Sequence, residues 1–223
     1  GAYVALSGWL PPYLIENFHV SLPTAGLLTS LFIFPASLLR PLGGWICDRW
    51  GARRAMYATF AVMLVTSGIL MMPNGHIVIA HPDGSYSEHL GYAISLVPFM
   101  ILVFLLGCAM GIGKAAVYKH IPEYFPDNVG SVGGLVGMLG GLGGFLLPPL
   151  FAYGQSWSGF PSATFLVLFL LVVICTVWMH WTVYRMLHSR SPQLADDLED
   201  PGPNAVASSQ DGLDIPATVA EER

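Results

Sequence analysis

Six apolar stretches alternate with polar ones along the chain, at roughly residues 1–18, 22–47, 54–73, 91–118, 128–153 and 161–187. A helix needs about 20 mostly apolar residues to cross a bilayer, so the pattern predicts six membrane-spanning helices and an all-α membrane fold. The breaks are Asn17-Phe18-His19, Asp48 to Arg54, a longer run from Pro73 to Leu90, Lys119 to Asp127, and Tyr153 to Pro161. After Ser191 the chain turns rich in Pro, Gly, Ser and acids and loses apolar periodicity. Two regions follow: a six-helix bundle over 1–190 and a disordered acidic tail over 191–223.

Composition agrees with a bilayer environment. The chain is 54% hydrophobic and 10% charged, whereas soluble domains carry about 25% charged residues. Its net charge of -5 misleads, because the tail holds eight of the fourteen acids and only one base. The first 190 residues have eight bases against six acids, so charge points to no nucleic-acid partner. Arg49, Arg53, Arg54, Lys119, Arg185 and Arg190 all fall at alternate ends of the six stretches. By the positive-inside rule those ends, and the tail, are cytoplasmic. Cys47, Cys108 and Cys175 lie far apart in apolar runs, which supports neither a disulfide framework nor a thiolate metal site. The sequence starts at Gly1 without a basic n-region, so a piece of a longer chain is expected.

The fifth stretch is the most unusual. From Asn128 to Phe145 it carries no charge, and Gly130, Gly133, Gly134, Gly137, Gly140, Gly141, Gly143 and Gly144 recur in overlapping four-residue steps. Each interior glycine costs a soluble helix about 0.8–1 kcal/mol relative to alanine. In a membrane, bare backbone instead allows close helix packing. Such a face serves either plain helix packing or a substrate path. Gly107, Gly111 and Gly113 extend the theme in the fourth stretch, so that helix is expected to pack against the glycine helix.

Three positions carry candidate chemistry. Arg40 precedes Asp48 by eight residues, which places it about 12 Å inside the cytoplasmic loop. A guanidinium at that depth costs several kcal/mol unless it meets a partner or a wet cavity. No acid in the spans lies at a matching depth, and an unpaired guanidinium fork suits a planar oxyanion. Lys114 is five residues inside Lys119, about 7 Å deep, and serves either as a snorkelling structural residue or in the substrate path, with Tyr118 one turn on. Gly44-Trp45-Ile46-Cys47-Asp48-Arg49-Trp50-Gly51-Ala52-Arg53-Arg54 reads G-x-x-x-D-R-x-G-x-R-R. There Asp48 can pair with Arg49 or neighbouring bases to latch one conformation, and Gly51 permits a tight turn.

That string is similar at every specified position to the loop signature of the major facilitator superfamily. Gly113 to Pro126, the glycine run to Phe145, Tyr3 to Pro11 and Leu38 to Gly44 resemble, more narrowly, its nitrate/nitrite porter family. The resemblance covers residues 1 to about 190 and implies the carboxyl-terminal six-helix half of a twelve-helix transporter. It implies that Arg40 is the nitrate-binding arginine of this half, and that Gly137, Gly140, Gly141 and Gly144 line the substrate path. Gly44, Asp48, Arg49, Gly51, Arg53 and Arg54 would form the cytoplasmic gating motif. The amino-terminal half, with the family's other arginine and the first signature helix, would precede Gly1, as would a pocket tyrosine early in the seventh helix. A pocket aromatic of some members falls at Ala116.

The implied function is secondary transport of nitrate or nitrite across the cytoplasmic (inner) membrane by alternating access. Alternatives are transport of another small anion, such as an organic carboxylate, or a truncated non-transporting membrane protein. Coupling stays open between nitrate/nitrite exchange and proton-linked uptake. No enzymatic role is indicated, because the sequence has no phosphate-binding loop, no dinucleotide fingerprint and no nucleophile with a plausible base. No cofactor or metal is expected either. His76, His81 and His89 read as surface residues of the outer loop, and His180, between Trp178 and Trp181, as a membrane-interface residue.

Overall fold

A computed structural model describes residues 1–72, 75–80, 86–92 and 94–189. The helices are α1 (Ala2–Phe18), α2 (Leu22–Leu38), α3 (Arg40–Trp50), α4 (Ala52–Leu70), α5 (Leu96–Tyr124), α6 (Val129–Ser158) and α7 (Ala163–Ser189). Strands β1 (Gly75–Ala80) and β2 (Tyr86–Tyr92) pair antiparallel with an irregularity at Ile77/Val78. The all-α expectation therefore gains one hairpin, in the polar stretch read as a plain loop. β-Branched Ile77, Val78 and Ile79 suit a pleated strand. The acidic tail, Arg190 and the side chains of His76, His81 and His89 lie outside the described residues.

Among the described residues, three helices are long and apolar enough to cross a membrane: α5, α6 and α7. The bent α2–α3 pair makes a fourth if it counts as one span. α1 has only 17 residues, and α4 opens on Arg53 and Arg54.

The second predicted span is broken rather than continuous. α2 and α3 meet at Leu39 with a bend of 43°. Backbone bonds persist on both sides, from Leu39 N–H to the Pro35 carbonyl at 2.9 Å and from Gly43 N–H to the Leu39 carbonyl at 2.8 Å. Pro41 has no N–H to offer the carbonyl one turn back, and its ring pushes that turn open. Arg40 is thus the first residue after a proline-made break. At the other end of α3, Gly51 takes φ 83°, a left-handed value that glycine adopts freely, and hands the chain to α4.

Apolar side chains meet at the centre. Leu6, Leu10 and Leu14 form a buried stripe on α1 at helical spacing, joined by Phe32, Phe99, Val103, Leu106, Phe151 and Phe165 from four other helices. Tyr13 stacks on Phe99 with ring centroids 5.5 Å apart. The outer faces are apolar as well: Leu27, Leu31, Phe34 and Leu38 run exposed down α2. Water would penalise such a face, whereas lipid accepts it.

α5 is the hub. Gly107, Gly111 and Ala115 recur every fourth residue and open a groove that receives α2 and α3. A Cβ on Gly107 would stand 2.7 Å from the Phe32 carbonyl oxygen, and one on Gly43 of α3 would stand 2.9 Å from the Ala115 Cβ. Gly113 faces Thr59 of α4 instead. These glycines therefore face α2, α3 and α4, and α5 meets the glycine helix elsewhere, where Tyr118 and Ile121 face Gly137 and Gly133. A small-residue groove admits one close neighbour, and the bent span occupies it.

α6 is held at its outer end. Only Leu147 and Phe151 of this helix are buried. Nearby, Thr164 of α7 accepts hydrogen bonds from Trp9 Nε1 of α1 at 3.1 Å and from Gln155 Nε2 of α6 at 3.0 Å. Gln155 Nε2 also donates to the Pro161 carbonyl at 3.0 Å. His180 of α7 lies 3.1 Å from the Tyr57 hydroxyl of α4, and Arg185 sits over the Trp181 ring at 5.1 Å.

Candidate functional site: a cationic cavity at the helix break

A cavity of about 440 Å³ opens between α1, the α2–α3 break, α4, α5 and α6. Arg40, Lys114, Gly137, Gly140 and Gly141 all line it. Gly144 does not: it packs on α1, where an added Cβ would meet Val4 Cγ1 at 2.8 Å. Most of the wall is apolar or bare backbone, with Met56, Phe60, Met63, Met110 and Val136 among its residues.

The polar groups are few. Arg40 enters from the break, and its Nε is buried without a hydrogen-bond partner. Buried polar atoms nearly always find partners, so this vacancy calls for one. Lys114 faces the same space from α5, close enough to feel the charge of Arg40. Among the described residues, no Asp or Glu lines the cavity. It therefore presents two cations and no fixed counter-charge, in walls that leave little polar screening.

Two tyrosines complete it. Tyr3 lines the cavity from α1, and its hydroxyl donates to the Ile33 carbonyl at 3.3 Å and lies 3.3 Å from Ser37 Oγ. It ties α1 to the turns just before the break. Tyr3 thus brings a phenol ring to the cavity wall. Tyr118 lines the cavity one turn beyond Lys114, and a Cβ added at Gly137 would stand 3.7 Å from its hydroxyl. Ala116, matched to a pocket aromatic, instead sits fully buried with Cys47, Ala52 and Ala55. Two residues on, the helix has turned by about 200°, so Tyr118 reaches the wall that Ala116 cannot.

The glycine run is only partly occupied. A Cβ added at Gly143 would meet Gly1 and one at Gly144 would meet Val4, whereas one at Gly133 would stand 4.0 Å from Ile121 Cδ1. Gly130, Gly134 and Gly141 have space where a side chain would go, with no atom of the chain within 4 Å.

At the loop signature, Asp48 pairs with Lys119 of α5 at 2.5 Å. Its partner is therefore across the helix interface rather than the adjacent Arg49. Arg49 lies over the Trp45 ring at 5.7 Å. Arg53 is buried at 8% exposure, Arg54 is exposed, and Gly44 has open space around it. The motif thus clasps α3 to α5 at the end of the span whose break carries Arg40.

The sequence profile of the Major Facilitator Superfamily matches residues 1–210. This chain belongs to the Major Facilitator Superfamily. As a member it is a multi-pass membrane protein. Among curated proteins it is 59% identical over 199 residues to the "Probable nitrate/nitrite antiporter NarK1" of Thermus thermophilus, covering 89% of this chain and 45% of that protein. It is 34% identical over 195 residues to the "Nitrite extrusion protein" of Bacillus subtilis (strain 168), covering 85% and 44%. It is 32% identical over 179 residues to the "Probable nitrate transporter NarT" of Staphylococcus epidermidis, covering 80% and 41%. The chain spans less than half the length of these relatives.

Proposed function

We propose that this chain is part of a secondary transporter that moves nitrate or nitrite across the cytoplasmic membrane by alternating access. The observation that carries the reading is the buried, unpartnered Nε of Arg40, in a cavity with a second cation and no acid. An anion with acceptor atoms in one plane satisfies a guanidinium with two parallel hydrogen bonds. The names of the three relatives, each given for nitrate or nitrite, point the same way.

In this reading α1, the α2–α3 pair, α4, α5, α6 and α7 form six spans, one half of a twelve-helix transporter, with the carboxyl end cytoplasmic. Arg40 and Tyr3 hold the anion near the midplane between the two halves. Gly137, Gly140 and Gly141 bring bare backbone to its path, and the open glycines of α6 supply a surface against which the other half slides. The Asp48–Lys119 clasp stabilises the state that is closed to the cytoplasm.

The test is uptake of labelled nitrate by the complete transporter in cells lacking other porters, wild type against Arg40→Lys. Lysine keeps the charge and loses the fork. A tenfold or greater loss of uptake with normal membrane levels is expected, and unchanged affinity and rate would remove Arg40 from the site. Stronger competition by an organic carboxylate than by nitrite would favour a different small anion.

A further inference from the structure

Two arginines flank the corner between α3 and α4. Arg49 lies at the end of α3 and Arg54 at the start of α4, on either side of Gly51, and both are exposed. Arg49 rests over the Trp45 ring, and among the described residues neither arginine has an ion pair or a side-chain hydrogen bond. The nearby acids do little to neutralise them. Asp48 is held by Lys119 of α5, and Glu123 lies 3.2 Å from His120 Nδ1, which leaves Asp127 as the free acid at this end of the described chain.

α7 leads a segment of opposite sign toward the same corner. Tyr57 of α4 meets His180 of α7 at 3.1 Å. Eleven residues further along α4, a Cβ on Gly68 would stand 3.5 Å from the ring of Phe169, eleven residues earlier on α7. The two helices therefore run antiparallel, and α7 ends where α4 begins. From His180 to Ser189 α7 rises about 13 Å, whereas Arg54 lies about 4.5 Å past Tyr57 in that direction. Asp196, Asp197, Glu199 and Asp200 come next, the first of them seven residues after Ser189. Seven extended residues reach up to about 25 Å. That exceeds the overshoot of about 9 Å and the spacing of about 10 Å between packed helices taken together.

We propose that the acidic segment 196–200 docks on Arg49 and Arg54, braces the α3–α4 corner and so acts as a brake on opening of the Asp48–Lys119 clasp. Four acids in five residues meet two cations that have no other counter-charge. Exposed ion pairs are individually weak, but a segment tethered to the same chain meets its partners at high effective concentration and can engage both at once. A bridge across Gly51 stiffens the turn between the two helices, so α3 stays seated against α5. The docking needs only the chain itself, whereas the brake rests on the transport reading.

The experiment places photoreactive benzoylphenylalanine at Leu198 of the complete transporter, which keeps every acid of the segment, and irradiates it in membrane vesicles. At about 10 mM salt, cross-links are expected to the stretch from Trp50 to Arg54. Their yield is expected to fall about fivefold or more at about 1 M salt, where the screening length shrinks from about 30 Å to about 3 Å. Asp196→Asn, Asp197→Asn, Glu199→Gln and Asp200→Asn together are expected to lower the yield as far and to speed labelled nitrate uptake about twofold at low salt. Arg49→Gln with Arg54→Gln is expected to lose the same cross-links. The tail variant alters no helix, so it gives the reading even if the arginine variant does not fold. Cross-links that avoid the corner, or that persist in the neutralised tail, would overturn the docking. An unchanged uptake rate in that variant would overturn the brake. Absence of nitrate uptake in wild type would instead overturn the transport reading, with the cross-links still deciding the docking.

Discussion

Gly111 of α5 meets Ala36 of α2 backbone to backbone: a Cβ on the glycine would lie 2.5 Å from the Ala36 carbonyl oxygen and 2.9 Å from its Cα. Ala36 is one turn before Arg40, so this contact sets how far the break stands from α5. Gly111→Ala must push α2 outward, and overpacking of this kind costs about 1–3 kcal/mol. The purified transporter is expected to unfold at lower temperature, whereas Gly8→Ala, with no atom of the chain within 4 Å, leaves the midpoint in place. Equal midpoints for the two variants would mean that α2 does not rest in this groove.

Thr164 is fully buried and receives two donors, from Trp9 and Gln155. Valine matches its shape and removes the acceptor. Gln155 retains the Pro161 carbonyl, but the Trp9 N–H is left without its partner. A buried donor without an acceptor costs about 1–3 kcal/mol. Thr164→Val should lower the thermal midpoint and speed proteolysis between α6 and α7; Thr164→Ser should do neither.

The Asp48–Lys119 pair is half exposed on both sides, at 57% and 41%. Exposed pairs contribute about 0.2–1 kcal/mol, so Asp48→Asn should scarcely change the unfolding temperature. Its effect falls on the balance between conformations and thus on transport rate. The swap Asp48→Lys with Lys119→Asp should recover uptake that either single change loses. Failure of the swap to exceed both singles would show that the two residues act separately.

Alanine at Gly137 would reach the Tyr118 hydroxyl at ordinary contact distance, 3.7 Å, so the helix folds and the cavity narrows. A raised KM for nitrate with normal membrane levels is expected. Gly134→Ala touches nothing in this chain, so any loss of transport there must come from a neighbour outside it. Transport lost with protein levels intact is the outcome that a sliding surface requires, and undiminished transport would argue against one.

Much of the architecture was legible in the sequence because apolar length and proline leave local marks. The apolar stretches match helices, apart from the break at Leu39. Pro35 and Pro41 were visible there, but hydropathy averages over a bend and reads straight through it. Arg40 and Lys114 could be placed by depth, since helical rise converts residue number into position along a span, whereas placing Gly137, Gly140 and Gly141 beside them rested on the family resemblance. Facing was harder. Periodicity shows that Gly107, Gly111 and Ala115 share a side of α5 without showing which helix fills it. The Asp48–Lys119 bond joins residues 71 apart, beyond the reach of any local pattern. Ala116 and Tyr118 differ by two positions and point to nearly opposite sides, the first into the core and the second to the cavity, a difference in facing that spacing alone does not give. Nothing local marks Tyr3 as a cavity residue, because the bond that holds it there reaches the Ile33 carbonyl on another helix.

The broken span also bears on the order in which the membrane receives this chain. α2 offers 17 residues, a guanidinium follows at once, and α3 adds 11 residues ending near Arg49. As an isolated segment it pays for a charge at depth and an opened turn. The groove that accepts it belongs to α5, which leaves the ribosome only after α4 and the hairpin have been made. Secure integration of α2–α3 must therefore wait for a later helix. The insertion machinery has to retain an incomplete span until that shelter exists, and substitutions in the α5 groove should show first as premature degradation of nascent chains.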